Sequence, residues 1–180
     1  MNCIRSAFRS ILAVVLLFST PAWADFQGQV VRVLDGDTID VLMNRQIIRV
    51  RLTDIDAPEK GQAFGQRARQ RLADMTFRRQ VTIIEKDTDQ YGRVLGSVYA
   101  KLNDPGHVAQ LTNINAVMVK EGMAWAYRYH GEPANRQMYA LEKEARRHQR
   151  GLWSDPNAQE PWEWRRKMKN TSNCNHSCPR

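Results

Sequence analysis

The 180-residue sequence predicts an α+β fold: a five-stranded OB-type Greek-key barrel with about three packed helices. Three observations predict it. Five short runs rich in β-branched residues stand between turn signals. One helical period follows the third run. Helical periods return only after the fifth.

Residues 1–24 stand apart from that pattern. Arg5 and Arg9 precede the unbroken apolar run Ile11 to Phe18, and Ala22-Trp23-Ala24 is a small-residue cleavage pattern. This is the layout of a secretory signal, so a mature chain beginning at Asp25 is expected. The apolar run is too short to span a bilayer comfortably, and no stable membrane insertion is expected after cleavage. Cleavage removes two arginines and no acid, which lowers the net charge from +8 to +6. The rest suffices for one domain with its own core, expected over residues 25–157. A basic extension, residues 158–180, is expected to be partly flexible. Monomer is the default expectation. A secreted basic chain invites polyanionic partners, but charge alone does not choose among nucleic acid, anionic lipid and acidic polysaccharide. The mature chain keeps two cysteines, Cys174 and Cys178. In an oxidising compartment they are a candidate disulfide pair, with free thiols as the alternative. His176 between them adds too few ligands for a closed zinc site.

The first strand is "FQGQVVRVLD" and the second runs from Thr38 to Met43, with "DGDT" as the turn between them. Asn44-Arg45 turns the chain into "QIIRVRL", where Ile48, Val50 and Leu52 share one face and Arg49 and Arg51 the other. "TDIDAPEKG" interrupts with Pro58 and Gly61. Gln62 to Arg79 then reads as a helix whose buried face carries Ala68, Leu72 and Met75. "VTIIEKD" and "RVLGSVYAKL" are the fourth and fifth strands, joined by the turn "TDQYG". "TNINAVMVKEG" is a short helix stopped by Gly122, and Asn135 to Gln149 is a longer one stopped by Gly151. Leu152 and Trp153 are expected to fold back as a hydrophobic clasp. Trp162 and Trp164, in "PWEWRR", either dock on the domain or meet a partner; docking is the plainer reading.

Two acidic clusters interrupt this basic chain. Asp37 shares parity with Ile39 and Val41, so it should sit at the barrel rim, pointing where apolar residues point. A carboxylate held there is costly unless it is paired or bound to a cation. The competing reading is an ordinary turn, since D-G-D-T is good local turn chemistry. "RLTDIDAPE" supplies Arg51, Asp54, Asp56 and Glu59 at the end of the third strand. Pairing of the second and third strands could bring Asp37 and Asp56 to one rim. Two such carboxylates form part of an oxygen-rich site for a hard divalent cation. Arg51 and Arg93 are suited to bidentate phosphate binding, although any single arginine is more often a solvated surface residue.

"VLDGDTI", "RLTDIDAPE", "DQYGRVLG" and "INAVMVKEGMAWAY" stand in the order seen in the staphylococcal (micrococcal) nuclease family, and the chain resembles that family from Val30 to Asp155. "GLW" at Gly151 to Trp153 matches the family's usual ending. The resemblance implies that Asp37 and Asp56 ligate Ca²⁺, with the backbone carbonyl of Ala57 as a further ligand where the family typically has threonine. It implies that Glu59 activates or orients the attacking water, and that Arg51 and Arg93 bind phosphate. Asp35 resembles an acidic position beside the metal, and Tyr127 and Tyr129 resemble tyrosines lining the nucleotide pocket. The activity implied is calcium-dependent hydrolysis of DNA and RNA, leaving 3′-phosphate ends, in a secreted or periplasmic protein. The rival reading is a non-catalytic nucleic-acid-binding OB module of the cell envelope. A second rival is a basic structural protein whose carboxylates sit in turns and salt bridges. His107, His130, His148 and His176 fall in no metal-ligand spacing.

Overall fold

β1 (Phe26–Val33) runs through the DGDT turn into β2 (Thr38–Met43), its antiparallel partner. β2 turns at Asn44-Arg45 into β3 (Gln46–Leu52). Both turn residues have positive φ, 48° and 66°, the left-handed pair whose twist matches the strands it joins. The computed structural model describes residues 25–102 and 110–176, of which 172–176 are backbone only. The expected signal, residues 1–24, and the proposed Cys174–Cys178 pairing lie outside the described side chains, as does His107.

After β3 come the short β4 (Ile55–Asp56), α1 (Gly65–Thr76), β5 (Gln80–Thr88), β6 (Val94–Leu102) and β7 (Gln110–Asn113). The main sheet has the order β3-β2-β1-β5-β6-β7. A parallel pairing of β3 with β6 closes five of these strands into a barrel. A bulge between Val30 and Arg32 bends β1 around it. Val30, Ile39, Val41, Val50, Leu52, Ile83 and Val98 fill the interior, and α1 caps it with Ala68, Leu72 and Met75.

α1 is shorter at both ends than its periodicity suggests. Gln62 is spent on the preceding loop: its Oε1 accepts from the Glu59 N–H at 3.1 Å, and its Nε2 donates to the Gln159 carbonyl. At the other end Phe77 is already extended and Arg78 has a positive φ, which turns the chain into β5.

α2 (Ile114–Lys120) and α3 (Arg136–Arg147) each begin at an asparagine cap, Asn113 and Asn135, whose side-chain oxygens accept backbone N–H groups. Between them lie three short strands: β8 (Trp125–Ala126), which pairs with β4, and β9 (Arg128–Tyr129), which pairs with β10 (Glu132–Pro133). The clasp is present. Leu152 is buried and donates to the Gly122 carbonyl at 2.8 Å, and the Trp153 ring meets Trp125 edge-on at 5.1 Å. Gly122 and Gly151 both have positive φ and press backbone to backbone, so a Cβ on Gly151 would meet the Glu121 carbonyl oxygen at 2.6 Å.

α4 (Pro161–His176) makes a fourth helix where the sequence pattern predicted none. Its proline stands at the first helical position, where the missing N–H costs nothing. Trp164 is half-buried beside Gly61 and forms one wall of a hollow with Gln62, Phe64, Trp125 and Leu152, so this tryptophan docks on the domain. Among the described residues no helix is long and apolar enough to cross a membrane.

Candidate active site

The mouth of the barrel at the β2–β3 end opens into a cleft of about 400 Å³ lined by carboxylates, guanidiniums and two tyrosines. Asp37 stands in the turn before β2, and its own carbonyl accepts the Leu52 N–H at 2.8 Å. That bond ties the turn to the end of β3. The Asp37 carboxylate is nearly buried. Its Oδ2 accepts from the Ala57 N–H at 3.1 Å and its Oδ1 from the Thr38 hydroxyl at 3.0 Å. Asp56 is fixed from the other side, because β4 pairs it with Trp125 on β8.

The two acids converge on one nitrogen. Arg51 Nη2 lies 3.4 Å from Asp37 Oδ2 and 3.1 Å from Asp56 Oδ1. Burial opposes the Arg51 charge, but Asp37 and Asp56 outweigh it and hold its pKa above the ordinary guanidinium value. The Asp56 pKa rises as well, which for an acid disfavours the charged form. Burial pushes its carboxyl up, the hydrogen bonds from Arg165 pull it back, and the Asp37 charge pushes it up again, for a net rise. Asp35 accepts the Asp37 N–H at 3.0 Å, and burial together with the Asp37 charge raises its pKa to about 6.

Glu59 lines the cleft, on a loop held by Gln62 and by Gly65, where a Cβ would overlap the Glu59 carbonyl oxygen. Arg93 lines it too, at the start of β6. The parallel register Val50↔Val94 and Arg51↔Leu95 sets Arg93 beside Arg51 on the rim. Asp89 holds the Arg93 Nε at 2.7 Å, so this guanidinium is paired while facing the cleft. Ala57 and Tyr127 complete the predicted set that gathers here. Tyr129 does not line the cleft: it is exposed, and its ring meets His130 edge-on at 4.2 Å. Asp54, from the same acidic cluster, instead bonds Lys86 at 2.5 Å and Asn135 at 3.1 Å.

Among the charged and aromatic lining residues, Tyr91, Arg165 and Lys169 were not singled out from the sequence. Tyr91 lies inside the "DQYGR" turn, where the flanking motif was a usable signal. Arg165 comes from α4 and grips Asp56 and Glu59. Its Nη1 and Nη2 donate to Asp56 Oδ1 and Oδ2 at 3.1 and 2.7 Å, and Nη1 also donates to Glu59 Oε1 at 2.6 Å. Those bonds raise the Arg165 pKa. More than 100 residues separate it from these partners, so no local pattern in the sequence points to the contact.

The arrangement offers hard oxygen donors beside fixed cations, with a carboxylate that can hold water. Residues 49–155 match the family model for staphylococcal nuclease homologues. The chain belongs to the staphylococcal nuclease family. It is 68% identical to a micrococcal nuclease of Shigella flexneri over 96% of this chain and all of that protein. It is 59% identical to the protein ParB of Escherichia coli, over 87% of this chain and 88% of that one. An uncharacterised endonuclease of Escherichia coli is 43% identical over 84% of this chain and 94% of its own length. The protein is therefore a nuclease, a hydrolase of nucleic acid, on the α+β barrel described. Asp35, Asp37 and α4 lie outside the span of the family match, while Arg51, Asp56, Glu59, Arg93 and Tyr127 lie within it.

Proposed function

We propose that the nuclease is secreted, depends on calcium, hydrolyses both DNA and RNA, and leaves 3′-phosphate ends. The observation that carries this reading is the convergence of Asp37 and Asp56 on Arg51, with Arg93 and Glu59 facing the same cleft. The secreted location rests on the signal layout of residues 1–24. Neither DNA nor RNA is favoured by the cleft, whose cations address the phosphate that both share.

The donor set fits calcium. Asp37 and Asp56 are carboxylates, the Ala57 carbonyl is adjacent, and the cleft lining contains neither histidine nor cysteine. Among the described residues no cluster of three or more acidic, histidine or cysteine side chains gathers in ligand geometry, so water and substrate oxygens would complete the shell. When bound, calcium would supply charge neutralisation at a non-bridging phosphate oxygen. The chain's residues do the rest. Glu59 accepts a proton from the water that attacks phosphorus, the bond from phosphorus to the 5′ oxygen breaks, and that oxygen departs as a hydroxyl after taking a proton from solvent. Arg51 and Arg93 bind the other phosphate oxygens and gain strength as negative charge accumulates on them, which accelerates the step.

The test is a plasmid and single-stranded RNA cleavage assay of the mature protein in millimolar calcium, repeated with a chelator. Cleavage in calcium that stops on chelation, with 3′-phosphate termini in the products, is expected. Intact substrate in calcium would overturn the reading. Arg51→Ala, Glu59→Ala and Arg93→Ala should each lower kcat by about 10²–10³-fold. Near-normal turnover in all three would show that the cleft does other work. Binding that survives chelation without any cleavage in calcium would support the rival, a non-catalytic module.

A further inference from the structure

We propose that α4 is a wall of the substrate track and that Arg165 and Lys169 bind backbone phosphates flanking the one being cleaved. The proposal rests on the nucleic-acid reading of the cleft and extends it to a helix outside the family match.

Arg165 and Lys169 are four residues apart on α4, hence on one helical face, and both line the cleft that holds Arg51 and Arg93. A second hollow of about 360 Å³ adjoins it, sharing Tyr127 and Arg165 and adding Asp56, Arg128, Gly131 and Trp162. The two hollows bring cations (Arg51, Arg93, Arg128, Arg165 and Lys169) together with aromatic rings (Tyr91, Tyr127 and Trp162). That is the composition of a single-strand path, where cations follow phosphates and rings stack on bases. Pro161 is buried and Trp164 is half-buried against the domain beside Gly61, so the helix start is anchored and its cationic face is presented to the cleft. Lys169 is exposed and pairs with no carboxylate among the described residues.

Arg165 bonds Asp56 and Glu59. Asp56 is also a proposed ligand of the cation, and both of its oxygens are occupied by this guanidinium. A cation seated on Asp56 would displace at least one of those bonds. The freed donors would then face the cleft at the point where substrate phosphate enters. Arginine matches phosphate in the same two-pronged manner as carboxylate, so one side chain serves both partners.

The experiment measures affinity for a fluorescent ten-nucleotide single-stranded DNA in calcium across a salt series. Glu59→Gln is the background, which slows turnover by about 10²–10³-fold, and Arg165→Met, Lys169→Met and the double variant are compared within it. Each lost phosphate contact lowers the slope of log K against log salt by about 0.7 on single strands, so the double variant should lose about 1.4. Lys169→Met alone should lose about 0.7, and it touches neither acid, so it reports without disturbing the carboxylates. An unchanged slope in both Lys169→Met and the double variant would overturn the proposal. An Arg165→Met variant that binds calcium more tightly but keeps the parent slope would also overturn it, by making Arg165 a competitor of the cation and nothing more. The wild-type cleavage assay decides the nuclease reading separately, since the slope can stay fixed while cleavage stands.

Discussion

Asp40 and Asp56 are both buried acids, with side chains about 1% and 2% exposed, and each is held by two arginines. Their carboxyl pKa values nevertheless shift in opposite directions. Asp40 sits mid-strand on β2, flanked by Arg32 on β1 and Arg49 on β3 through the register of the sheet. Burial pushes its carboxyl up, but the hydrogen bonds from Arg49 and Arg32 overcome it, and the acid ends below its ordinary value. None of the leading contributions there comes from an acidic neighbour. The two side chains are equally covered, but more protein surrounds the Asp56 carboxylate and the negative charge of Asp37 adds to the cost of desolvation, so two arginines do not suffice and the acid ends above its ordinary value. One ion-pair cluster is complete. The other carries negative charge that its arginines leave incompletely compensated, which is the electrostatic condition for taking up a cation.

The sharpest way to break this comparison is to neutralise each acid in turn. Asp56→Asn should lower kcat by at least about 10²-fold, because a charge that acts in the transition state is lost. In chelator its melting temperature should equal or exceed that of the parent, because an under-compensated buried charge has been removed. A large drop in melting temperature would mean that Asp56 is as structural as Asp40. Asp40→Asn should do the reverse. Its loss of charge-assisted bonds should cost about 1–2 kcal/mol, limited by the exposed ends of both arginines. Turnover should stay within about twofold, since Asp40 lines neither the cleft nor the adjoining hollow that Asp56 lines. Thermal melting and single-turnover rates check both halves.

A smaller effect concerns pH. The folded-state pKa of Asp40 is depressed, so its stabilisation is present above the unfolded-state value, near 4, and is lost as pH falls through the folded value. The parent should therefore lose melting temperature steeply below about pH 4, and Asp40→Asn should lose it less steeply. Equal slopes would remove Asp40 from the account. The smallest effect should come from Glu144, a partly exposed acid paired with Arg150 at 3.0 Å. Glu144→Gln should leave the melting temperature and the turnover rate unchanged within error, since exposed pairs contribute little.

Much of the barrel is legible from the chain itself. β2 and β3 follow from the alternation that puts Ile39, Val41, Val50 and Leu52 inward, and the turn between them follows from Asn44-Arg45. The meeting of Asp37 with Asp56 follows from the rim position of one and the strand-end position of the other. Asp40 was less accessible. Alternation assigns it to the outer face, and only the register between three strands reveals that Arg32 and Arg49 cover it there. α4 was not legible because Trp162, Trp164 and Met168 make too sparse an apolar stripe to mark a helix. Docking of its tryptophans supplies what periodicity does not. Tyr129 resembled a pocket residue by sequence, yet β9 leaves it outside the cleft, two residues past Tyr127.

The parallel seam between β3 and β6 rests on three register pairs, Val50↔Val94, Arg51↔Leu95 and Leu52↔Gly96, from segments that are distant in the chain. Arg51 and Arg93 ride on opposite lips of it. A chain returning from denaturant could therefore bury its interior and recover its helices while remaining inert. Catalysis should return on the timescale of this last long-range stitch, so enzymatic recovery during refolding is a clock for barrel closure that far-ultraviolet dichroism does not read.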